Sequence, residues 1–175
     1  MKKKAIPIFP QKNDQLRLFL ASGFYLGLGP LVPGSFGALA GLAWHLLALP
    51  FGLSDGAVRL WCLVGAVVFS VLHYRLTPWA QQRWNDPDPK HFVLDEIVGY
   101  LCVPLFWALP AESALPVWAC ALIGFVVFRL LDAIKLPGAR YIDDNIHTAS
   151  GVLFDDVVSA AYSAAAVSGL VWCVS

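Results

Sequence analysis

Long apolar runs separated by short polar stretches set the pattern of this chain. From Leu18 to Ser54 there is no Asp, Glu, Lys or Arg, and further uncharged runs cover Leu60 to Tyr74, Ile97 to Ala111, Ser113 to Phe128 and Val157 to Ser175. Several of these approach, with their polar ends, the roughly 20 residues that a helix needs to cross a hydrocarbon core. The pattern predicts an interfacial or re-entrant segment from about Leu16 to Leu26 and a Gly/Pro-rich loop, GLGPLVPGSFG, over Gly27 to Gly37. Whether residues 16–37 span or re-enter stays open. Five helices follow, at about Ala38 to Leu49, Ala57 to Arg75, Phe92 to Leu109, Ala114 to Lys135 and Gly151 to Val174. FGLSDG, TPWAQQRWNDPDPKH, LPAES and LPGARYIDDNIHTAS connect them as loops. The expected architecture is therefore all-α, a compact bundle of about five helices that passes several times through a membrane.

Composition supports lipid as the solvent. Hydrophobic residues make up 58% of the chain and charged residues 14%, against roughly 45 to 50% and about 25% in soluble domains, and the mean hydropathy is +0.66. Some runs are short and interrupted by Gly and Pro, as in a soluble helical protein with an unusually apolar core, but the excess favours membrane integration. At 175 residues, residues 1–175 are expected to form one domain. The net charge of +0 gives no electrostatic case for nucleic acid. Cys62, Cys102, Cys120 and Cys173 stand singly, without CxxC spacing, so neither a zinc site nor a disulfide framework is expected.

The cations are unevenly placed. MKKKAIPIFPQKNDQLR carries five of the twelve Lys and Arg residues, with no small-residue cleavage site of a secretory signal. Lys and Arg mark the cytoplasmic side, which puts the N-terminus inside. Alternate threading then leaves FGLSDG and LPAES outside and places Arg75, Arg83, Lys90, Lys135, Arg140 and the Gly/Pro loop inside.

Five of the twelve acids lie within apolar segments: Asp95 and Glu96, Asp132, and Asp155 and Asp156. Burying a carboxylate is costly unless a cation or hydrogen-bond donors compensate, and the threading brings all five to one level at the cytoplasmic face. An oxygen-rich set of this kind suits a hard ion such as Mg²⁺, which keeps waters and completes its shell with phosphate. Gly99, one turn beyond Asp95, leaves room beside it. Arg129, Asp132 and Lys135 line one helix face at spacings of three, either as a salt-bridge series or as a cationic wall for phosphate. His147 could orient phosphate or protonate a leaving group. The loop glycines, Gly34 among them, and Ser35 as a helix N-cap offer anion-binding N–H groups.

Taken together, GLGPLVPGSFGALAG, LDEIVG, FRLLDAIK and GVLFDD resemble, in order and spacing, the phosphatidylglycerophosphatase A family of bacterial lipid phosphatases. The similarity runs from about Phe24 to Tyr162. It implies a Mg²⁺-dependent phosphomonoesterase that converts phosphatidylglycerophosphate to phosphatidylglycerol at the cytoplasmic side of the bacterial inner membrane. The family's acidic positions fall on Asp95, Glu96, Asp132, Asp155 and Asp156, its basic positions on Arg129 and Lys135, and its Asn-x-His on Asn145 and His147. Leu136 before Pro137, Thr148-Ala149 in place of Gly-Gly, and Ser159-Ala160 in place of Ala-Gly depart from the family pattern and bear on loop shape. The expected chemistry is attack of water on a phosphate held by Mg²⁺, Arg129 and Lys135, with a covalent aspartyl-phosphate route left open. A cation or phosphate transporter, using the same intramembrane acids, is the alternative function, and a noncatalytic scaffold is a further one. Oligomeric state and the number of metal ions are not fixed by these patterns.

Overall fold

A computed structural model describes residues 14–29 and 32–175. Among these, every regular element is helical: α1 (Asp14–Ala21), α2 (Pro33–Leu46), α3 (Asp55–Trp84), α4 (Leu94–Phe106), α5 (Val117–Ile134), α6 (Ala139–Asn145) and α7 (Ala149–Val174), with 3₁₀ turns at Leu26–Leu28 and Leu49–Phe51. The all-α class is as expected, but with seven helices rather than about five. The additional two are short: α1 falls in the segment expected at the interface, and α6 in the connection before the last long helix. Most of the basic N-terminal stretch, residues 1–13, and Pro30 of the Gly/Pro loop lie outside the described residues.

Four helical segments are long and apolar enough to cross a membrane: Pro33–Phe51, Asp55–Trp84, Val117–Ile134 and Ala149–Val174. Their outward faces carry apolar stripes at helical spacing. Leu60, Val64, Val67 and Val71 on α3, and Trp118, Leu122, Val126 and Leu130 on α5, are all exposed. Apolar surface on this scale is costly in water and natural against lipid.

The centre of the bundle is α4. Its 13 residues give a length of roughly 20 Å, too short to span the core, and it is enclosed by α2, α3, α5 and α7. Leu94, Asp95, Ile97 to Pro104 are buried, so α4 is covered on every side, as a helix apolar all round must be. Tyr100, fully buried, donates to Ala121 O at 3.2 Å and lies 3.2 Å from His45 Nδ1. Its one proton being committed to the carbonyl, the histidine nitrogen is the donor to the phenol oxygen. Gly99 sets how closely α4 meets α5 and α7, since an added β-carbon would stand 2.6 Å from Phe128 Cζ and 2.9 Å from Asp156 Cβ.

Two expected boundaries are corrected. The first part of the polar segment after Arg75 is not a loop: α3 continues through Pro78 to Trp84 and ends at Asn85 in the left-handed conformation, φ 52°, and only the residues from Asn85 to His91 form the expected loop. Proline removes the helical N–H that Tyr74 O would accept, but Trp79 Nε1 donates to Asp14 Oδ1 at 3.2 Å. Packing of this last part of α3 on α1 outweighs the local break. The second half of the Gly/Pro loop is also helical, because Pro33, with φ already preset, begins α2. Ser35 therefore lies inside the first turn and is not the N-cap, a position held by Val32.

Candidate active site

All five apolar-segment acids meet at one end of the bundle. Asp95 and Glu96 stand in the first turn of α4, Asp132 in the last turn of α5, and Asp155 and Asp156 near the start of α7. They surround a cavity of about 330 Å³ that is also lined by Gly34, Arg129 and Lys135. Three helices thus deliver carboxylates to one place, and α2 closes the side with a glycine.

Asp132 sits between the two cations. Arg129 Nη1 donates to its Oδ2 at 2.6 Å, and Lys135 Nζ lies 3.4 Å from its Oδ1. Lys135 also donates to Asp155 Oδ2 and lies 3.9 Å from Asp156 Oδ1. Burial works against its ammonium, but the carboxylates of Asp156, Asp132 and Asp155 outweigh that and hold its pKa above the ordinary lysine value. The backbone takes part as well: Lys135 ends α5 in the left-handed region at φ 54°, which costs an L-residue about 1–2 kcal/mol. That turn directs the chain from α5 toward α6 with the side chain in the cavity. Arg129 reaches across to α2, donating from Nε to Ser35 Oγ at 3.3 Å.

The cations do not satisfy the carboxylates. Asp95 Oδ1, Glu96 Oε2, Asp132 Oδ1, Asp155 Oδ1 and Asp156 Oδ2 are buried without a hydrogen-bond partner. Orphaned buried acceptors on this scale call for further donors or an ion. Two triads offer oxygens within 4.8 Å of one another: Asp95, Glu96 and Asp156, and Asp132, Asp155 and Asp156. Oxygens around Mg²⁺ lie roughly 3 to 4.2 Å apart, so the first triad can close on such an ion, whereas Lys135 Nζ stands among the acids of the second. The hardness of an all-carboxylate set matches Mg²⁺ rather than zinc.

The sequence profile described as Phosphatidylglycerophosphatase A matches residues 19–171. The chain belongs to the phosphatidylglycerophosphatase A family. It is 34% identical over 147 residues to Phosphatidylglycerophosphatase A of Escherichia coli, covering 83% of this chain and 77% of the relative. Against the protein of the same name from Haemophilus influenzae it is 31% identical, over 82% of each chain. A Bacteroides thetaiotaomicron protein with the provisional name phosphatidylinositol-3-phosphatase is 32% identical, over 91% of this chain and 96% of its own. No solved structure matches significantly.

Of the residues expected in the site, the five acids, Arg129, Lys135 and Gly34 line the cavity, and Ser35 is one hydrogen bond behind it. Asn145 and His147 do not line it. Both are exposed, and Asn145 Nδ2 instead donates to Tyr141 O at 2.7 Å within α6. Asp88 and Lys90 do line the cavity without having been singled out. Their loop, NDPDPK, has the composition of any polar turn, and only its position between two apolar runs hinted at the site.

Proposed function

We propose that the chain is a Mg²⁺-dependent lipid phosphatase that hydrolyses the terminal phosphomonoester of phosphatidylglycerophosphate, in phospholipid synthesis at the cytoplasmic face of the bacterial inner membrane. The observation that carries this reading is the cavity itself, where five carboxylates with bare oxygens meet two cations at one end of helices long enough to cross a bilayer. The names of the Escherichia coli and Haemophilus influenzae relatives supply the substrate.

Bound in this cavity, Mg²⁺ would neutralise phosphoryl charge and make a water more acidic. Around it, the chain's own groups divide the work. Arg129 presents Nη2 beside Gly34, where the glycine itself adds no side chain to the space shared with the Glu96 carboxylate, and its guanidinium suits a phosphate oxygen. Lys135 adds a point charge from the α5 terminus. The bare Oδ1 of Asp155, beside the acids that would hold the ion, accepts the proton of the attacking water. The phosphorus–oxygen bond to glycerol breaks, and the alkoxide takes up a proton. The acyl chains stay beside the exposed apolar faces of the spans while the headgroup enters at their ends.

Placement of the acids at one end, rather than midway along the spans, favours hydrolysis over transport. The deciding assay uses protein purified in detergent and follows phosphate release from phosphatidylglycerophosphate, phosphatidic acid, a phosphatidylinositol 3-phosphate and a soluble phosphomonoester, each with and without Mg²⁺. Release that needs Mg²⁺, is fastest for phosphatidylglycerophosphate and disappears with Asp95→Asn and Asp156→Asn is expected. Metal-independent release, or release unchanged in those variants, overturns the assignment.

A further inference from the structure

The two acidic triads share Asp156, which is the geometry of a site built for a pair of cations. They are not equivalent. Lys135 Nζ already stands among the acids of the second triad, bonded to Asp155 and 3.4 Å from Asp132 and 3.9 Å from Asp156. No ion pair joins Asp95 or Glu96 to a Lys or Arg among the described residues. Asp156 divides between the triads: Oδ1 faces Lys135, and Oδ2 is buried without a partner. Asp95 Oδ1 and Glu96 Oε2 are bare in the same way, and Asp95 and Asp156 are each more than nine-tenths buried.

We propose that the site binds a single divalent cation, through Asp95, Glu96 and Asp156, and that the Lys135 ammonium permanently occupies the second cation position formed by Asp132, Asp155 and Asp156. This rests on the metal-dependent reading above and adds its stoichiometry and the place of the ion. An ion bonded to the second triad at about 2.0–2.1 Å from each oxygen would crowd the lysine nitrogen, and two like charges at that separation repel strongly. The lysine must leave before a second ion enters. Its backbone argues for a dedicated position: the C-terminal residue of α5 is left-handed, where glycine or asparagine would be least strained, yet the chain places there a residue whose ammonium reaches three carboxylates. The second positive charge is thereby present whatever the metal supply.

The test is Mn²⁺ binding to the full chain in detergent, by titration calorimetry and electron paramagnetic resonance, with no substrate present. The expected result is one ion per wild-type chain with the spectrum of an isolated Mn²⁺. Glu96→Gln should weaken binding at least tenfold. Lys135→Met, which keeps the aliphatic stem, and Lys135→Gly, which relaxes the backbone, should each admit a second ion and give the spectrum of a coupled pair. Two ions in the wild type, or one ion of unchanged affinity in both lysine variants, overturns the proposal while leaving metal dependence intact. No Mn²⁺ binding to the wild type removes the metal reading itself.

Discussion

Gly34 on α2 lies directly against Glu96 on α4: a β-carbon built on the glycine would collide with the Glu96 carboxylate and stand 2.7 Å from Arg129 Nη2. Glycine here serves the approach of two charged side chains, not a turn. Gly34→Ala should therefore displace both groups and reduce kcat/KM by about 100-fold, the scale set by losing one well-placed transition-state donor. Circular dichroism should show the helical content unchanged. Gly169→Ala is the control, because nothing lies within 4 Å of an added β-carbon there and alanine is the better helix former. It should raise the midpoint of thermal unfolding, by a stabilisation of about 0.5–1 kcal/mol, with activity retained.

Arg129 and His147 separate geometry from motif. The arginine lines the cavity, and the histidine is exposed in the short connection between α6 and α7. Arg129→Gln should lower kcat/KM by about 100-fold, and Arg129→Lys should recover only part of it, because an ammonium cannot make the forked contact. His147→Gln should cost less than about tenfold, below the roughly 100-fold or more that a general acid contributes. A larger loss in the histidine variant would mean that the α6 connection closes over the cavity when substrate binds.

Ser35 tests how firmly α2 is tied to α5. Its hydroxyl accepts from Arg129 Nε at 3.3 Å, a long bond to a charged donor. Ser35→Ala should leave unfolding nearly unchanged, within about 1 kcal/mol, and raise KM more than it lowers kcat, since the guanidinium loses one of its two anchors but keeps Asp132. Initial rates across a substrate series in mixed micelles measure the split.

The bundle and the acidic end of the site were legible because ionisable residues are rare in apolar runs, so each of Asp95, Glu96, Asp132, Asp155 and Asp156 stood out against its neighbours. Their convergence followed from threading the helices alternately, with no contact known. What escaped was decided by tertiary packing. Pro78 and the polar residues after it indicate a loop, yet the Trp79 bond to Asp14 and the buried positions of Leu76, Thr77 and Ala80 carry α3 nine residues beyond Arg75. Asp88 and Lys90 then reach the cavity only because that longer helix delivers their loop to it. The Asn-x-His positions show the converse: a motif can be read in the sequence while the described fold leaves it outside the cavity.

Asp95 sets stability against function. Its Oδ1 is buried without a donor, and Glu96 and Asp156 stand close enough for one ion to bridge all three. Without metal, these carboxylates repel one another at a site that water cannot fully solvate. Asp95→Asn removes one charge and supplies an N–H₂ donor to its neighbours, so the metal-free variant should be more stable than the wild type, by about 1–3 kcal/mol, the usual cost of a buried unsatisfied polar group. Adding Mg²⁺ should reverse the order. A ligand that binds only the folded state stabilises by about 2.7 kcal/mol at a concentration 100 times its Kd, a gain open to the wild type and largely closed to the variant. Thermal unfolding in detergent, with EDTA and then across a Mg²⁺ series, should therefore give two curves of midpoint against metal concentration that cross. A wild type that is the more stable protein in EDTA would show that the carboxylates are already compensated without an ion.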